Sequence, residues 1–214
     1  MEGPTTYSPN LPATLRATIN LPSSKSISNR ALLLCALSGP DSSVERMSNC
    51  DDTYVMWRAL TQRPDTVDIM AAGTAMRFMT AYFAICRGEE HTITGTERMR
   101  QRPIKVLVDA LRQLGADISY VDNEGYPPLH VKGRSLQGGR ISLPASVSSQ
   151  YISALLLVAP TMAQGLTLEL MGDIISRPYI NMTVSMMRTF GADIEWTDAH
   201  TLHVAPHAYL SDVI

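Results

Sequence analysis

Two stretches decide the fold: "RPIKVLVDALRQLGADISY" (residues 102–120) and "RPYINMTVSMMRTFGADIEW" (residues 177–196). Each runs Arg-Pro, then apolar residues at helical spacing, then Gly-Ala-Asp-Ile and an aromatic; the second is one residue longer before its glycine. Proline is tolerated in the first helical turn, where its missing N–H has no partner anyway, so Pro103 and Pro178 each predict a helix start. Gly115 and Gly191 suit the position just past a helix end. "ADISYV" and "ADIEWT" alternate apolar and polar residues, as a half-buried strand does. A repeat of this kind sets the architecture before any motif is considered.

A more apolar helix stands ahead of each copy. "GTAMRFMTAYFAICRG" (residues 73–88) precedes one and "SSQYISALLLVAPTMAQG" (residues 148–165) the other, each ending at glycine and followed by a short strand, "HTIT" or "LTLEL". "SSKSISNRALLLCALSG" (residues 23–39) is a third helix of this kind, and "DDTYVMWRALTQ" (residues 51–62) takes the place of its amphipathic partner. The chain therefore reads as an α/β fold of three βαβαββ units, the first degenerate in its second half. A helix apolar on all sides must be surrounded by protein. Three of them predict a threefold pseudo-symmetric domain with buried central helices, an inside-out α/β barrel, with equivalent helix ends gathered at one end.

Those ends are small and polar: Ser24-Lys25-Ser26, Gly73-Thr74-Ala75 and Ser148-Ser149-Gln150. Capping of the first-turn N–H groups explains any one of them. Recurrence in three units adds a second meaning, because helix N-termini carry free donors and partial positive charge and attract anions. The cations near these ends are Lys25, Arg30, Arg77, Arg102 and Arg177.

The rest of the composition narrows the classes. With 18 Lys+Arg against 20 Asp+Glu there is no global basic field for nucleic acid or anionic membrane. No apolar run approaches a membrane span, and the first residues lack the basic and apolar regions of a signal peptide, so a soluble, cytoplasmic protein is expected. The three cysteines (Cys35, Cys50, Cys86) form no CxxC and argue against a disulfide framework or zinc site; Cys35 and Cys86 fit small buried hydrophobes. P-loop, Rossmann, HExxH and GxSxG patterns are missing. No cofactor or metal is implied.

The stretches "LPSSKSISNRALLL", "AAGTAMRF", "RMRQRPI", "SSQYISALLL" and "ISRPYINMT" occur in this order. Together they resemble the 5-enolpyruvylshikimate-3-phosphate synthase (3-phosphoshikimate 1-carboxyvinyltransferase) family across residues 14–204, and only its N-terminal half. The resemblance implies a domain of three repeated units and an enolpyruvyl transfer from phosphoenolpyruvate to shikimate 3-phosphate. By it, Lys25 would be the catalytic residue here and would contact phosphoenolpyruvate. Gly73 and Arg102 would also hold that substrate, and Gln150 would reach between the two. Ser26, Arg30, Thr74, Ser148, Ser149, Ser176 and Tyr179 would hold shikimate 3-phosphate. Two departures stand out. Ala71 replaces the motif's usual asparagine and Phe78 its proline, which removes a polar partner near the phosphoenolpyruvate site.

The resemblance also implies boundaries: residues 1–20, including a strand near residues 15–19, belonging with a second domain; residues 21–206 forming the substrate-binding domain; and residues 207–214 beginning the crossover. The second domain would be the chief partner and would carry the remaining acid-base groups, leaving this chain inactive alone. Two alternatives remain open: a stand-alone anion-binding or regulatory module of the same fold, and an enolpyruvyl transferase for a UDP-sugar.

Overall fold

The computed structural model describes residues 8–10, 14 and 16–211. Three helices form the centre: α1 (Lys25–Ser38), α3 (Gly73–Ile85) and α6 (Ser149–Val158). Each packs against the other two. Every residue of α3 from Gly73 to Ala84 is buried, as expected of a helix with no polar face. Three amphipathic helices lie between them, α2 (Asp51–Gln62), α5 (Lys105–Gln113) and α7 (Arg177–Thr189). Contacts run round the ring α1, α2, α3, α5, α6, α7 and back to α1, so a threefold alternation of central and flanking helices closes on itself.

Two four-stranded sheets cover this bundle. One comprises β1 (Thr66–Asp68), β2 (Glu90–Thr94), β3 (Asp117–Tyr120) and β4 (Leu129–Lys132), in the order β1-β2-β4-β3. The other comprises β5 (Gly139–Pro144), β6 (Leu166–Met171), β7 (Ile194–Trp196) and β8 (Thr201–Val204), in the order β5-β6-β8-β7. The topologies are the same. In each, a parallel pair is joined through a central helix, β1-α3-β2 or β5-α6-β6, and an antiparallel hairpin is added at one edge. Alternating burial along β5 and β6 turns one face of each strand to the core.

Gly115 and Gly191 follow α5 and α7 with φ of 104° and 78°, the left-handed backbone that ends a helix and that side chains disfavour. Pro178 lies in the first turn of α7. Pro103 does not start α5, a correction to the repeat argument. Its carbonyl accepts from the Tyr151 hydroxyl at 2.7 Å and from Arg77 Nη2 at 3.2 Å, and the Ile104 N–H is taken by the Gly125 carbonyl at 2.9 Å. Helix α5 therefore begins at Lys105, and the arginine-rich stretch ahead of it forms a short separate helix, α4 (Glu97–Arg100).

The first unit contributes helices but no sheet among the described residues. Helix α2 ends at Gln62 and β1 of the next unit begins at Thr66, which leaves no chain for a strand pair. Of the strand expected near residues 15–19, residue 15 lies outside the described residues, and residues 16–19 are exposed and form no strand. Cys35 and Cys86 are half-buried and pack at the edge of the core.

Candidate functional site

Helices α1, α3 and α6 bring their N-termini to one end of the bundle. There the two flanking mouths are capped and the middle one is not. The Ser24 hydroxyl accepts from the Ile27 N–H at 3.5 Å, and the Ser148 hydroxyl from the Gln150 N–H at 3.3 Å. Residue 72, at the cap position of α3, is an alanine and offers no side-chain acceptor. The first-turn donors of α3 are thus left for a ligand.

One cavity of about 320 Å³ is lined by Lys25, Ser26 and Arg30 of α1, Thr74 of α3, Ser148, Ser149 and Gln150 at α6, and Ser176 and Tyr179 at α7. These are nine of the eleven residues singled out in the sequence. The other two, Gly73 and Arg102, meet each other nearby. A β-carbon on Gly73 would stand 2.5 Å from Arg102 Nη1, so the guanidinium lies flush against a backbone that only glycine leaves open. Arg102 lines a second cavity of about 460 Å³ with Ala71, Thr96, Arg98 and Met99. Thr74 faces the first cavity and Ala71 the second, so the first turn of α3 divides them. The residues expected at phosphoenolpyruvate are accordingly split, Lys25 and Gln150 on one side and Gly73 and Arg102 on the other.

The cations are not equally available. Lys25 Nζ lies 3.2 Å from Asp52 at the start of α2, yet the side chain remains 49% exposed and can reach a ligand. Arg30 is 3% exposed. It donates to Thr183 Oγ1 (2.7 Å), the Ser26 carbonyl (2.8 Å), Ser153 Oγ (2.9 Å) and the Tyr179 carbonyl (3.5 Å). Four of its N–H groups are thereby used on α1, α6 and α7, leaving one of the five a guanidinium carries. Burial lowers its pKa to about 10, so it remains a cation at neutral pH. Arg30 is first a brace between three helices, and its ring contact with Phe78 at 5.6 Å adds to that role.

Arg77 is turned inward too, donating to the Gly73 carbonyl at 3.1 Å and to the Pro103 carbonyl. Arg177 stacks 4.4 Å over the Trp196 ring and donates to the Ala199 carbonyl at 2.5 Å. The presence of these two arginines at helix starts is thus explained by internal partners rather than by an anion.

Arg98 is the residue that sequence reasoning missed. Its signal lay in "RMRQR": Arg98 and Arg102 are four apart, hence on one face of a helical turn. Among the described residues neither cavity is lined by a carboxylate. The arrangement can hold two anions side by side, and among the described residues Lys25 is the one lysine lining either cavity.

Among the described residues no helix is long and apolar enough to cross a membrane, and no group of three potential metal ligands occurs. Comparison with known proteins agrees with the repeat architecture. The model of the family described as EPSP synthase (3-phosphoshikimate 1-carboxyvinyltransferase) matches residues 9–63 and 58–214. A 3-phosphoshikimate 1-carboxyvinyltransferase of Bacteroides fragilis is 56% identical over 203 residues, covering 95% of this chain and 49% of the relative. One from Mannheimia haemolytica is 41% identical, covering 87% of this chain and 50% of the relative. The chain spans about half the length of the curated relatives it matches. The structure of EPSP synthase from Acinetobacter baumannii superposes with a TM-score of 0.79 at 20% identity, covering 92% of this chain and 48% of that one, and it supports the fold. With the family model covering nearly the whole sequence, the chain belongs to the EPSP synthase (3-phosphoshikimate 1-carboxyvinyltransferase) family.

Proposed function

We propose that this chain is the N-terminal, substrate-holding half of an enzyme of the shikimate pathway that joins the enolpyruvyl group of phosphoenolpyruvate to the 5-hydroxyl of shikimate 3-phosphate and releases inorganic phosphate. The observation that carries this reading is the nine-residue cavity at the three helix mouths. Ser26, Ser148 and Ser149 offer hydroxyl donors to the shikimate phosphate, with Thr74, Ser176 and Tyr179 around the ring and one remaining Arg30 N–H behind. Phosphoenolpyruvate lies against the uncapped mouth of α3, with its phosphoryl group beside Gly73 and Arg102. Gln150 and Lys25 stand between the two substrates.

The chemistry follows from that placement. A proton adds to the methylene carbon of phosphoenolpyruvate, and the 5-hydroxyl oxygen, losing its own proton, bonds to the neighbouring carbon. The tetrahedral adduct then loses phosphate as the methyl carbon gives a proton back. Two polyanions must be held in contact, so fixed donors that cancel their repulsion and receive the leaving phosphate supply both proximity and electrostatic stabilisation. Lys25 is suited to the bridging enol oxygen through which the phosphate departs, because its exposed ion pair with Asp52 is weak and exchangeable.

The carboxylates and further cations needed for proton transfer would come from a second half closing over the site. We assign residues 21–206 to the substrate domain, residues 1–20 to packing with that second half and residues 207–214 to the crossover. A cytoplasmic setting fits the absence of disulfides among the described cysteines. Calorimetric titration with shikimate 3-phosphate against a UDP-sugar tests the substrate; heat from the UDP-sugar alone would overturn it. Release of phosphate by the 214-residue chain alone would overturn its role as half of a site.

A further inference from the structure

The cavity beside Gly73 holds two guanidinium groups, Arg98 and Arg102, with Ala71, Thr96 and Met99 completing its wall. Both arginines are exposed, and neither has an ion pair or side-chain hydrogen bond among the described residues. The residues between them anchor the segment. Met99 is 1% exposed and packs on Gly95, and Arg100 donates from Nε to the Gly95 carbonyl at 3.2 Å. The Arg102 N–H bonds to the Met99 carbonyl at 3.0 Å, which prolongs the turn beyond α4 and keeps positions 98 and 102 on one side. Like charges four residues apart repel, and the mouth of α3 adds partial positive charge. The segment is therefore built with unbalanced positive charge on an anchored backbone.

We infer that Arg98 is a second guanidinium ligand for the phosphoryl group of phosphoenolpyruvate, sharing its oxygens with Arg102. The inference rests on the proposed placement of that substrate at Gly73 and Arg102. A phosphoryl group has three terminal oxygens and nearly two negative charges. That matches two guanidinium forks and the free donors of a helix mouth, whereas a carboxylate offers two oxygens and one charge. Arg98 thus sets the orientation of the substrate, with the phosphoryl end in the α3 cavity and the enol carbon toward Lys25 and Gln150.

The test is titration of phosphoenolpyruvate into the chain saturated with shikimate 3-phosphate, read by calorimetry and by the phosphorus resonance of phosphoenolpyruvate. Arg98→Ala is expected to weaken phosphoenolpyruvate about tenfold, the scale of one charge-assisted hydrogen bond, and Arg98→Lys less. Shikimate 3-phosphate affinity and the thermal midpoint stay at the wild-type values. If Arg102→Ala weakens phosphoenolpyruvate and Arg98→Ala does not, the role of Arg98 is refuted while the substrate placement stands. If the wild type takes up no phosphoenolpyruvate, or neither arginine matters, both are refuted. Loss of thermal stability in Arg98→Ala together with loss of shikimate 3-phosphate binding would show a structural residue and also overturn the inference.

Discussion

Replacing Gly73 by alanine adds one methyl group at the point where the Arg102 guanidinium lies on the backbone of α3. The added carbon would sit 2.5 Å from Nη1, 3.1 Å from Cζ and 3.2 Å from Nη2. Ordinary contact requires close to 3.5 Å, so the guanidinium must withdraw by about 1 Å. It can do so easily, being the end of a flexible, exposed side chain. Gly73 is not among the glycines with positive φ, so alanine brings no backbone strain, and alanine favours the helix. Stability should therefore hold within about 0.5 kcal/mol of the wild type. Binding should not. In the proposed placement, the methyl group would occupy the surface meant for the phosphoryl group and displace Arg102 from it. Loss of one charge-assisted hydrogen bond, about 1.5–3 kcal/mol, weakens phosphoenolpyruvate by tenfold or more. Shikimate 3-phosphate, whose proposed cavity lies across the first turn of α3, should bind as before. Calorimetry with each substrate and thermal unfolding check both halves of the expectation. Unchanged phosphoenolpyruvate affinity would refute the role of Gly73, and a drop of several degrees in midpoint would make the glycine structural.

Three further perturbations separate binding from packing. Ser148→Ala removes a hydroxyl cap as well as a proposed ligand and should lower stability by about 0.5–1 kcal/mol while weakening shikimate 3-phosphate, whereas Ser149→Ala removes no cap and should weaken that compound at an unchanged midpoint; chemical denaturation distinguishes the two, and calorimetry should show weaker binding in both. Arg30→Met leaves the Ser153–Thr183 hydroxyl pair at 2.8 Å intact but removes the bonds that join α1 to α6 and α7, and denaturation should show a loss of about 2–4 kcal/mol. Glu89 accepts from Arg63 at 2.6 Å and 2.9 Å and faces His91 at 3.0 Å. Burial raises its pKa, but the bonds to His91 and Arg63 outweigh this and hold it below the usual carboxylate value of 4.5. A carboxyl depressed in the folded state stabilises above its unfolded pKa and loses that contribution as pH falls through the folded one. The difference in midpoint between wild type and Glu89→Gln should thus be full at neutral pH and shrink below about pH 4.5; a difference that grew on acidification would contradict the assignment.

Much of the fold is legible because the repeat repeats its chemistry. Gly115 and Gly191 mark helix ends through backbone conformation, and the uninterrupted apolar run of α3 requires a helix enclosed by protein. The start of α5 was not legible, because the Pro103 carbonyl is claimed by Tyr151 and Arg77, which are distant in sequence and near only after folding. The site shows the same division. Ser26, Ser148, Ser149 and Thr74 stand at helix mouths, where position along the chain indicates position in space. The partners of the arginines cannot be read this way. Arg30, Arg77 and Arg177 look equally available in sequence, yet internal acceptors take most of the donors of Arg30 and Arg77, and Arg177 stacks on Trp196. Arg98, half hidden among neighbouring arginines, lines a cavity and has no side-chain hydrogen bond or ion pair among the described residues.

In the proposed reading, three helix mouths build one binding site for the phosphate of shikimate 3-phosphate. A crystal structure of the chain with that compound tests it most directly. Phosphate oxygens are expected within about 3.2 Å of the Ser148 and Ser149 hydroxyls and of the α1 mouth at Ser26, with the ring between Thr74 and Tyr179. A phosphate seated instead between Arg98 and Arg102, or a compound bound away from both cavities, would contradict it.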